Sequence, residues 1–127
     1  LTKNLPLAAG LGGGSADAAA TVWALLELWG VAVPVVAGLD DFLLSLGADV
    51  PACFECRTAR MSGIGEVCGP VDGLGELYAV LVNPGTACPT ASVFGAFAGP
   101  FTAPAPAIEG DPVSYLRRQR NDLAAAA

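Results

Sequence analysis

Residues 10–20 read GLGGGSADAAA, and this stretch decides how the chain around it is interpreted. Glycines crowd the first half, while alanines, which favour helices, fill the second half. The start of a helix offers unpaired backbone N–H groups and the positive end of the helix dipole. Because glycine lets the backbone curl close to a ligand, the stretch predicts a phosphate-binding turn leading into a helix.

Two familiar phosphate loops do not fit this turn. The pattern GxxxxGK[ST] fails, because the sole lysine of the chain is Lys3. The dinucleotide pattern GxGxxG fails because Ser15 stands at its third glycine. A turn that only lets a strand and a helix pack closely remains an alternative. However, such a turn needs one or two glycines, and each extra glycine costs up to about 1 kcal/mol of chain entropy.

The composition limits the kind of protein. The chain has 127 residues, no more than one ordinary domain, and its 54% hydrophobic content suffices for a core. Disorder is therefore excluded. A net charge of −6 leaves no basic patch for a nucleic-acid backbone or an anionic membrane surface.

A membrane span is the alternative for residues 18–39, which contain a single charged residue, Glu27. Gly30, Pro34 and Gly38 interrupt this stretch. A helix, a short loop and a second helix in a protein core explain the same pattern better.

The cysteines do not form a recognisable metal or redox motif. Cys53 and Cys56 form a CxxC, but Cys68 and Cys88 stand apart and the chain has no histidine. On a strand, Cys53 and Cys56 would face opposite sides. We expect buried thiols in a reducing cytoplasm.

Hydrophobic spacing predicts helices followed by an antiparallel sheet, hence an α+β fold. A helix is predicted from Ser15, its N-cap, to a stop at Gly30, and SGIGE at residues 62–66 is predicted to be a turn. The other expected elements are a strand at residues 1–6, a helix at 35–46, strands at 52–56, 58–61, near Val67 and at 78–84, a short helix at 91–98, an irregular loop at 99–110 and a helix at 111–127.

Several motifs together resemble those of the GHMP kinases. PLAAGLGGGSADAAA at residues 6–20 and LGADVP at residues 46–51 carry most of the resemblance. Five shorter motifs also stand in the family's order. KNLP at residues 3–6 precedes the loop, and the later ones are GIGE at 63–66, LVNPG at 81–85, PT at 89–90 and ND at 121–122. The resemblance implies a GHMP kinase fold with a ribosomal protein S5 domain 2-like amino-terminal domain, incomplete at both ends. Residues 1–83 would belong to that domain, and residues 84–127 would begin the carboxy-terminal domain.

The resemblance also implies an activity. It is ATP-dependent phosphorylation of the 2-hydroxyl of 4-diphosphocytidyl-2-C-methyl-D-erythritol, in the non-mevalonate route to isoprenoid precursors, with Mg²⁺ as cofactor. The expected enzyme is cytoplasmic and binds no nucleic acid or membrane. A homodimer is a candidate for its oligomeric state. Main-chain amides of the loop would hold the ATP phosphates, and the ATP-binding segment would comprise Pro6, Leu7, Ala8, Ala9, Gly10, Leu11, Gly12, Gly13, Gly14, Ser15 and Ala16.

Asp49 is the expected catalytic residue. From its position between Gly47 and Pro51 alone, an acid that caps a turn is the better explanation. The resemblance instead implies a general base that accepts the proton of the attacking hydroxyl. For Ser15, capping the helix and contacting phosphate or metal both stay open.

The resemblance places the catalytic lysine upstream of Leu1, and Lys3 does not correspond to it. We therefore expect the chain to be inactive alone. Another GHMP kinase acting on homoserine or mevalonate, and a non-catalytic remnant, remain the alternatives.

Overall fold

The computed structural model describes residues 10–33 and 36–127. The strand predicted at residues 1–6 lies outside them. Within them the elements are α1 (Gly13–Leu28), α2 (Leu39–Leu46), α3 (Val50–Glu55), β1 (Ala59–Ser62), β2 (Val67–Pro70), α4 (Thr90–Ala96) and α5 (Pro112–Arg117). Residues 12–71 form one compact unit, and residues 72–127 group with Gly10 and Leu11 in a second. Helices with one antiparallel sheet confirm the α+β prediction.

The first unit is built round α1. Its buried side chains lie on one face, because Ala19, Val22 and Leu26 recur at helical spacing. From α2 and α3 come the other members of the core, including Leu43 and Val50, which are 2% and 1% exposed. Burial of such a side chain contributes about 1.5–3 kcal/mol. The core thus fixes three helices against one another.

The second helix begins later than predicted. Gly38 is its N-cap, with a left-handed φ of 73°, so α2 starts at Leu39 instead of residue 35. Residues 34–35 lie outside the described part of the chain. Asp40 and Asp41 occupy the first turn, where negative charge favours a helix.

The strand predicted at residues 52–56 is wrong, because α3 occupies this segment. Pro51 lies in the first helical turn, where its missing N–H costs no hydrogen bond. Val50 and Phe54, four residues apart, are both buried. Packing on α1 therefore favours the helix over the strand that the apolar run suggested.

The β1–β2 hairpin confirms the strands predicted near residues 58–61 and Val67, with the turn between them. Ala59 pairs with Pro70 and Ser62 with Val67. The hairpin follows α3 directly, so its turn can reach the segment before that helix.

In the second unit, side chains hold irregular backbone in place. Asp111 caps α5 by accepting the N–H of Ser114 at 2.8 Å. The Asp122 carboxylate accepts the N–H and the hydroxyl of Thr102 at 2.7 and 2.9 Å. The helix predicted at residues 111–127 ends at Arg117, and beyond it the Asn121 side chain accepts the N–H of Leu123 at 3.0 Å, a local bond that competes with a helix. The short helix predicted at residues 91–98 is confirmed as α4, and the loop at 99–110 is irregular as predicted.

The strand predicted at residues 78–84 is wrong as well. This segment is neither helix nor strand and pairs with no strand among the residues that the structure describes. Tyr78, Val80 and Val82 are 92%, 88% and 89% exposed. Because a strand needs a hydrogen-bonded neighbour, strong β propensity alone does not form one.

The membrane alternative can also be compared with the helices. α1 ends at Leu28 and α2 begins at Leu39, so the apolar stretch is divided between two helices. None of the helices in the described residues has the length and apolar character that crossing a bilayer requires.

Candidate active site

Helix α1 begins at a left-handed glycine, and no side chain caps its first turn. Gly12 is the N-cap, with φ 66° and ψ 16°. Gly10 has a similar left-handed φ of 68°, which residues with side chains rarely adopt. The N–H of Ala16 donates to the carbonyl of Gly12 at 2.9 Å. Ser15 is thus the third helical residue, and the prediction that it is the N-cap is wrong because the left-handed glycine begins the helix earlier.

The glycines of this loop have open space around them. A Cβ built on any of four positions meets no described atom within 4 Å, namely Gly10, Gly12, Gly13 and Gly14. The strand that the alternative would pack against α1 precedes residue 10 and lies outside the described residues, so that alternative stays open. No described group accepts the N–H of Gly13, Gly14 or Ser15. Three adjacent amides at the positive end of α1 can therefore receive an anion.

Asp49 begins α3 with its backbone and leaves its carboxylate exposed. Its φ and ψ are −89° and −10°, and its side chain makes no capping hydrogen bond. The carbonyl of Asp49 accepts the N–H of Cys53 at 3.0 Å. No described residue donates a hydrogen bond to the carboxylate, which is thus available to a ligand.

The starts of α1 and α3 lie side by side. A Cβ built on Gly47, two residues before Asp49, would lie 3.9 Å from the Ser15 hydroxyl oxygen. Further along the same two helices, the Trp23 and Phe54 rings stack with centroids 4.6 Å apart. The two helices therefore run in the same direction. The start of α1 and the turn before Asp49 lie at the same end of this pair of helices.

The hairpin turn touches the segment before Asp49 from another side. Gly65 is buried, and a Cβ on it would overlap the carbonyl oxygen of Ala48 and lie 2.9 Å from its carbonyl carbon. The sequence marked residues 62–66 as a turn and GIGE as a family motif, but neither predicted a contact with Ala48. The one signal for this contact was the pair of glycines, Gly63 and Gly65, where a simple turn needs fewer.

The cysteines differ from expectation. Cys53 lies on α3 and Cys56 ends it, so the pair is on a helix and not on the predicted strand. Cys56 is exposed and the other three are half-buried, so the prediction of buried thiols is wrong; all four are free. Burial, then the Asp49 carboxylate, then the Cys56 thiol raise the pKa of the Cys53 thiol.

The structure describes some of the predicted site residues and not others. Pro6, Leu7, Ala8 and Ala9 lie outside the described residues. Gly12 to Ala16 form the start of α1, and Ser15 lies next to the turn that carries Asp49.

Comparison with known proteins gives one kind of relative. The model of the GHMP kinases N terminal domain matches residues 1–56. A protein of Cereibacter sphaeroides named 4-diphosphocytidyl-2-C-methyl-D-erythritol kinase is 46% identical over 134 residues, which cover 100% of this chain and 47% of the relative. Proteins of the same name from Paramagnetospirillum magneticum and Roseobacter denitrificans are 48% and 47% identical, covering 99% and 100% of this chain and 42% and 44% of the relatives.

The chain thus spans slightly less than half the length of these curated relatives. No solved structure matches it. With the kinase domain model matching residues 1–56 and relatives of one name along its whole length, the chain belongs to the GHMP kinase family.

Proposed function

We propose that this chain supplies the ATP-binding loop and the catalytic base of a kinase for 4-diphosphocytidyl-2-C-methyl-D-erythritol. One observation carries the proposal: open amides at the start of α1 and the turn before Asp49 lie at the same end of two parallel helices. Phosphoryl transfer needs these two parts near each other, since the phosphate must meet the activated hydroxyl. The names of the relatives support this choice of substrate.

The loop would bind ATP through its main chain. The N–H groups of Gly13, Gly14 and Ser15 would donate to phosphate oxygens, helped by the dipole of the 16-residue α1. This arrangement needs no lysine in the loop. Pro6 to Gly12 would continue the same binding segment.

Asp49 would act on the acceptor alcohol. Its carboxylate takes the proton of the 2-hydroxyl while that oxygen attacks the γ-phosphorus of ATP. The new bond joins the alcohol oxygen to phosphorus, and the bond between that phosphorus and the β,γ-bridging oxygen breaks. The products are ADP and the 2-phosphate, and the proton stays on Asp49 until solvent removes it.

Mg²⁺ belongs to the same proposal. The residues that the structure describes contain no group of three or more His, Cys, Asp or Glu side chains able to hold a metal. The Ser15 hydroxyl, at the start of α1, offers one hard oxygen ligand that would join the phosphate oxygens of the nucleotide. Bound there, Mg²⁺ would neutralise charge that develops on the phosphates.

The test is a chimaera in which residues 1–127 replace the matching segment of the Cereibacter sphaeroides relative. We expect ADP formation with 4-diphosphocytidyl-2-C-methyl-D-erythritol and Mg-ATP. Asp49→Asn should lower kcat by about 10²–10⁴-fold, because general base catalysis is lost, and leave the Kd for ATP within about twofold. The matched control is Asp72→Asn, an exposed aspartate of the second unit, which should change neither value.

Other outcomes separate the alternatives. Turnover of homoserine or mevalonate in preference to the cytidylated substrate would favour another GHMP kinase. A folded chimaera that phosphorylates none of the three would favour a non-catalytic remnant. The domain boundary after residue 83, a cytoplasmic location and a homodimer remain predictions alongside this proposal.

A further inference from the structure

Gly65 occupies a backbone position that other residues rarely adopt. Its φ is 116°, and its N–H donates to the carbonyl of Ser62 at 3.2 Å across the β1–β2 turn. It is buried, although the rest of the turn, residues 62–64 and Glu66, is exposed. Something beyond the hairpin therefore covers it.

The backbone of Ala48 covers it. A Cβ at position 65 would overlap the Ala48 carbonyl oxygen and would lie 2.9 Å from its carbon and 3.3 Å from its Cα. This carbonyl belongs to the peptide unit that joins Ala48 to Asp49. Since a peptide unit is planar, holding its carbonyl also holds the nitrogen and the Cα of Asp49.

The neighbouring glycine in the turn shows what an ordinary turn position looks like. Gly63 also has a left-handed φ, 67°, but a Cβ there would meet only the side chain of Glu66. That side chain accepts the N–H of Ile64 at 2.6 Å and is exposed, so it can move aside. Of the two glycines, only Gly65 faces backbone that cannot move aside without displacing Asp49.

We propose that Gly65 is a positioning residue for Asp49: the bare Cα lets the hairpin turn rest on the Ala48 carbonyl and fixes the direction in which the Asp49 side chain leaves the backbone. This inference rests on the proposed role of Asp49 as general base. Gly65 itself would touch neither substrate nor nucleotide.

The kinetic test uses the chimaera described above. Gly65→Ala should lower kcat by about 10–100-fold, because misplacement of a catalytic group by about 1 Å has effects of that size. The KM for ATP should stay within about twofold, since the amides at the start of α1 are not displaced. Gly63→Ala is the matched control, because Gly63 lies in the same turn and also has a positive φ, of 67°, and it should keep kcat within about threefold.

A second test follows Asp49 without using activity. In the 127-residue chain with Cys56, Cys68 and Cys88 replaced by serine, the rate of thiol alkylation against pH gives the pKa of Cys53. The Asp49 carboxylate contributes to raising that pKa, so Asp49→Asn should lower the pKa of Cys53. The size of this decrease is the reference for the other variants. Gly65→Ala should shift it in the same direction, and Gly63→Ala should not.

The outcomes keep the two proposals apart. If Gly65→Ala leaves both kcat and the Cys53 pKa unchanged, the positioning role is wrong. If it shifts the Cys53 pKa while kcat is unaffected by Asp49→Asn, the general base assignment is wrong instead. Should Gly65→Ala fail to fold, Ala48→Gly gives the peptide unit covered by Gly65 more backbone freedom without adding an atom to the contact. If the hairpin turn holds that peptide unit, kcat should stay within about threefold, and a fall of about tenfold or more would contradict the positioning role.

Discussion

At the scale of single residues, Cys56 is under backbone strain. It ends α3 with φ 49° and ψ 36°, the left-handed conformation. Among the residues that the structure describes, it is the one non-glycine residue with a positive φ. An L-residue in this conformation costs about 1–2 kcal/mol, which is why helices commonly end at glycine.

Cys56→Gly should therefore stabilise the chain. We expect the free energy of unfolding to rise by about 0.5–1 kcal/mol, because the relief of strain exceeds the chain entropy that glycine adds. Urea denaturation followed by circular dichroism measures the change. Cys56→Ala removes the thiol but keeps the strain, so it should give no such gain; an equal gain would mean that the thiol, not the backbone, is responsible.

The residue scale also shows what a sequence can reveal about a site. The glycines of the loop and Asp49 stand in local motifs, so they could be predicted without coordinates. Gly65 could not, because its importance comes from contact with Ala48, which lies seventeen positions earlier in the chain. The left-handed Gly12 that starts α1 escaped prediction for a different reason, since Ser15 is a good capping residue and gave a competing signal.

At the scale of elements, α1 and α3 are joined by an aromatic pair. The rings of Trp23 and Phe54 stack at an angle of 9°, and the indole N–H donates to the Phe54 carbonyl at 3.0 Å. This hydrogen bond ties the C-terminal half of α3 to α1. It thereby supports the alignment on which the proposed site depends.

Trp23→Phe should cost about 1 kcal/mol in the free energy of unfolding, because the hydrogen bond is lost while a stacked ring remains. Chemical denaturation monitored by circular dichroism measures it. Trp29→Phe is the control: Trp29 is 66% exposed, so the change should stay within about 0.5 kcal/mol. Equal losses in both variants would contradict the proposed link between the helices.

Element prediction succeeded where one local signal dominated. Helical spacing gave α1, and the glycines of residues 62–66 gave the hairpin. It failed for α3, whose short apolar run suits a strand as well as a buried helix. The start signals Asp49 and Pro51 were present, but burial of Val50 and Phe54 against α1 decided the outcome.

The cap of α5 should make stability depend on pH. Hydrogen bonds from the side chain and backbone of Ser114 lower the pKa of Asp111, and those from the backbone and side chain of Thr102 lower the pKa of Asp122. A carboxyl group whose pKa is lower in the folded state stabilises that state above its unfolded pKa of about 4. This contribution is lost as the pH falls through the folded pKa.

We therefore expect the free energy of unfolding to decrease between about pH 5 and pH 2, and Asp111→Asn should flatten this decrease. Asparagine caps a helix as well as aspartate does but does not titrate. Urea denaturation at a series of pH values gives the slope. Asp72→Asn, which removes an exposed carboxylate with no hydrogen bond from the described residues, should keep the original slope.

At the scale of the whole molecule, residues 78–82 expose apolar side chains in a segment that is neither helix nor strand. Tyr78, Val80, Leu81 and Val82 are 77–92% exposed. The segment has high β propensity, no proline and no charge, which is the pattern of strands that pair between chains.

The isolated chain should consequently self-associate, and Val80→Lys with Val82→Lys should reduce this by adding like charges. Sedimentation velocity at several concentrations measures the association. Leu28→Lys is the control, because Leu28 is similarly exposed, at 76%, but lies on α1. If the control is as effective as the double variant, general hydrophobicity and not strand pairing drives the association.

The loop that begins α1 has one more consequence, for how nucleotide binding would depend on pH. Residues 10–16 contain no ionisable side chain, and a left-handed glycine sets their geometry. Amide donors keep their protons across the physiological range. The acidity of the nucleotide's terminal phosphate, and not that of a loop side chain, would then govern how the affinity of this loop for ATP varies with pH.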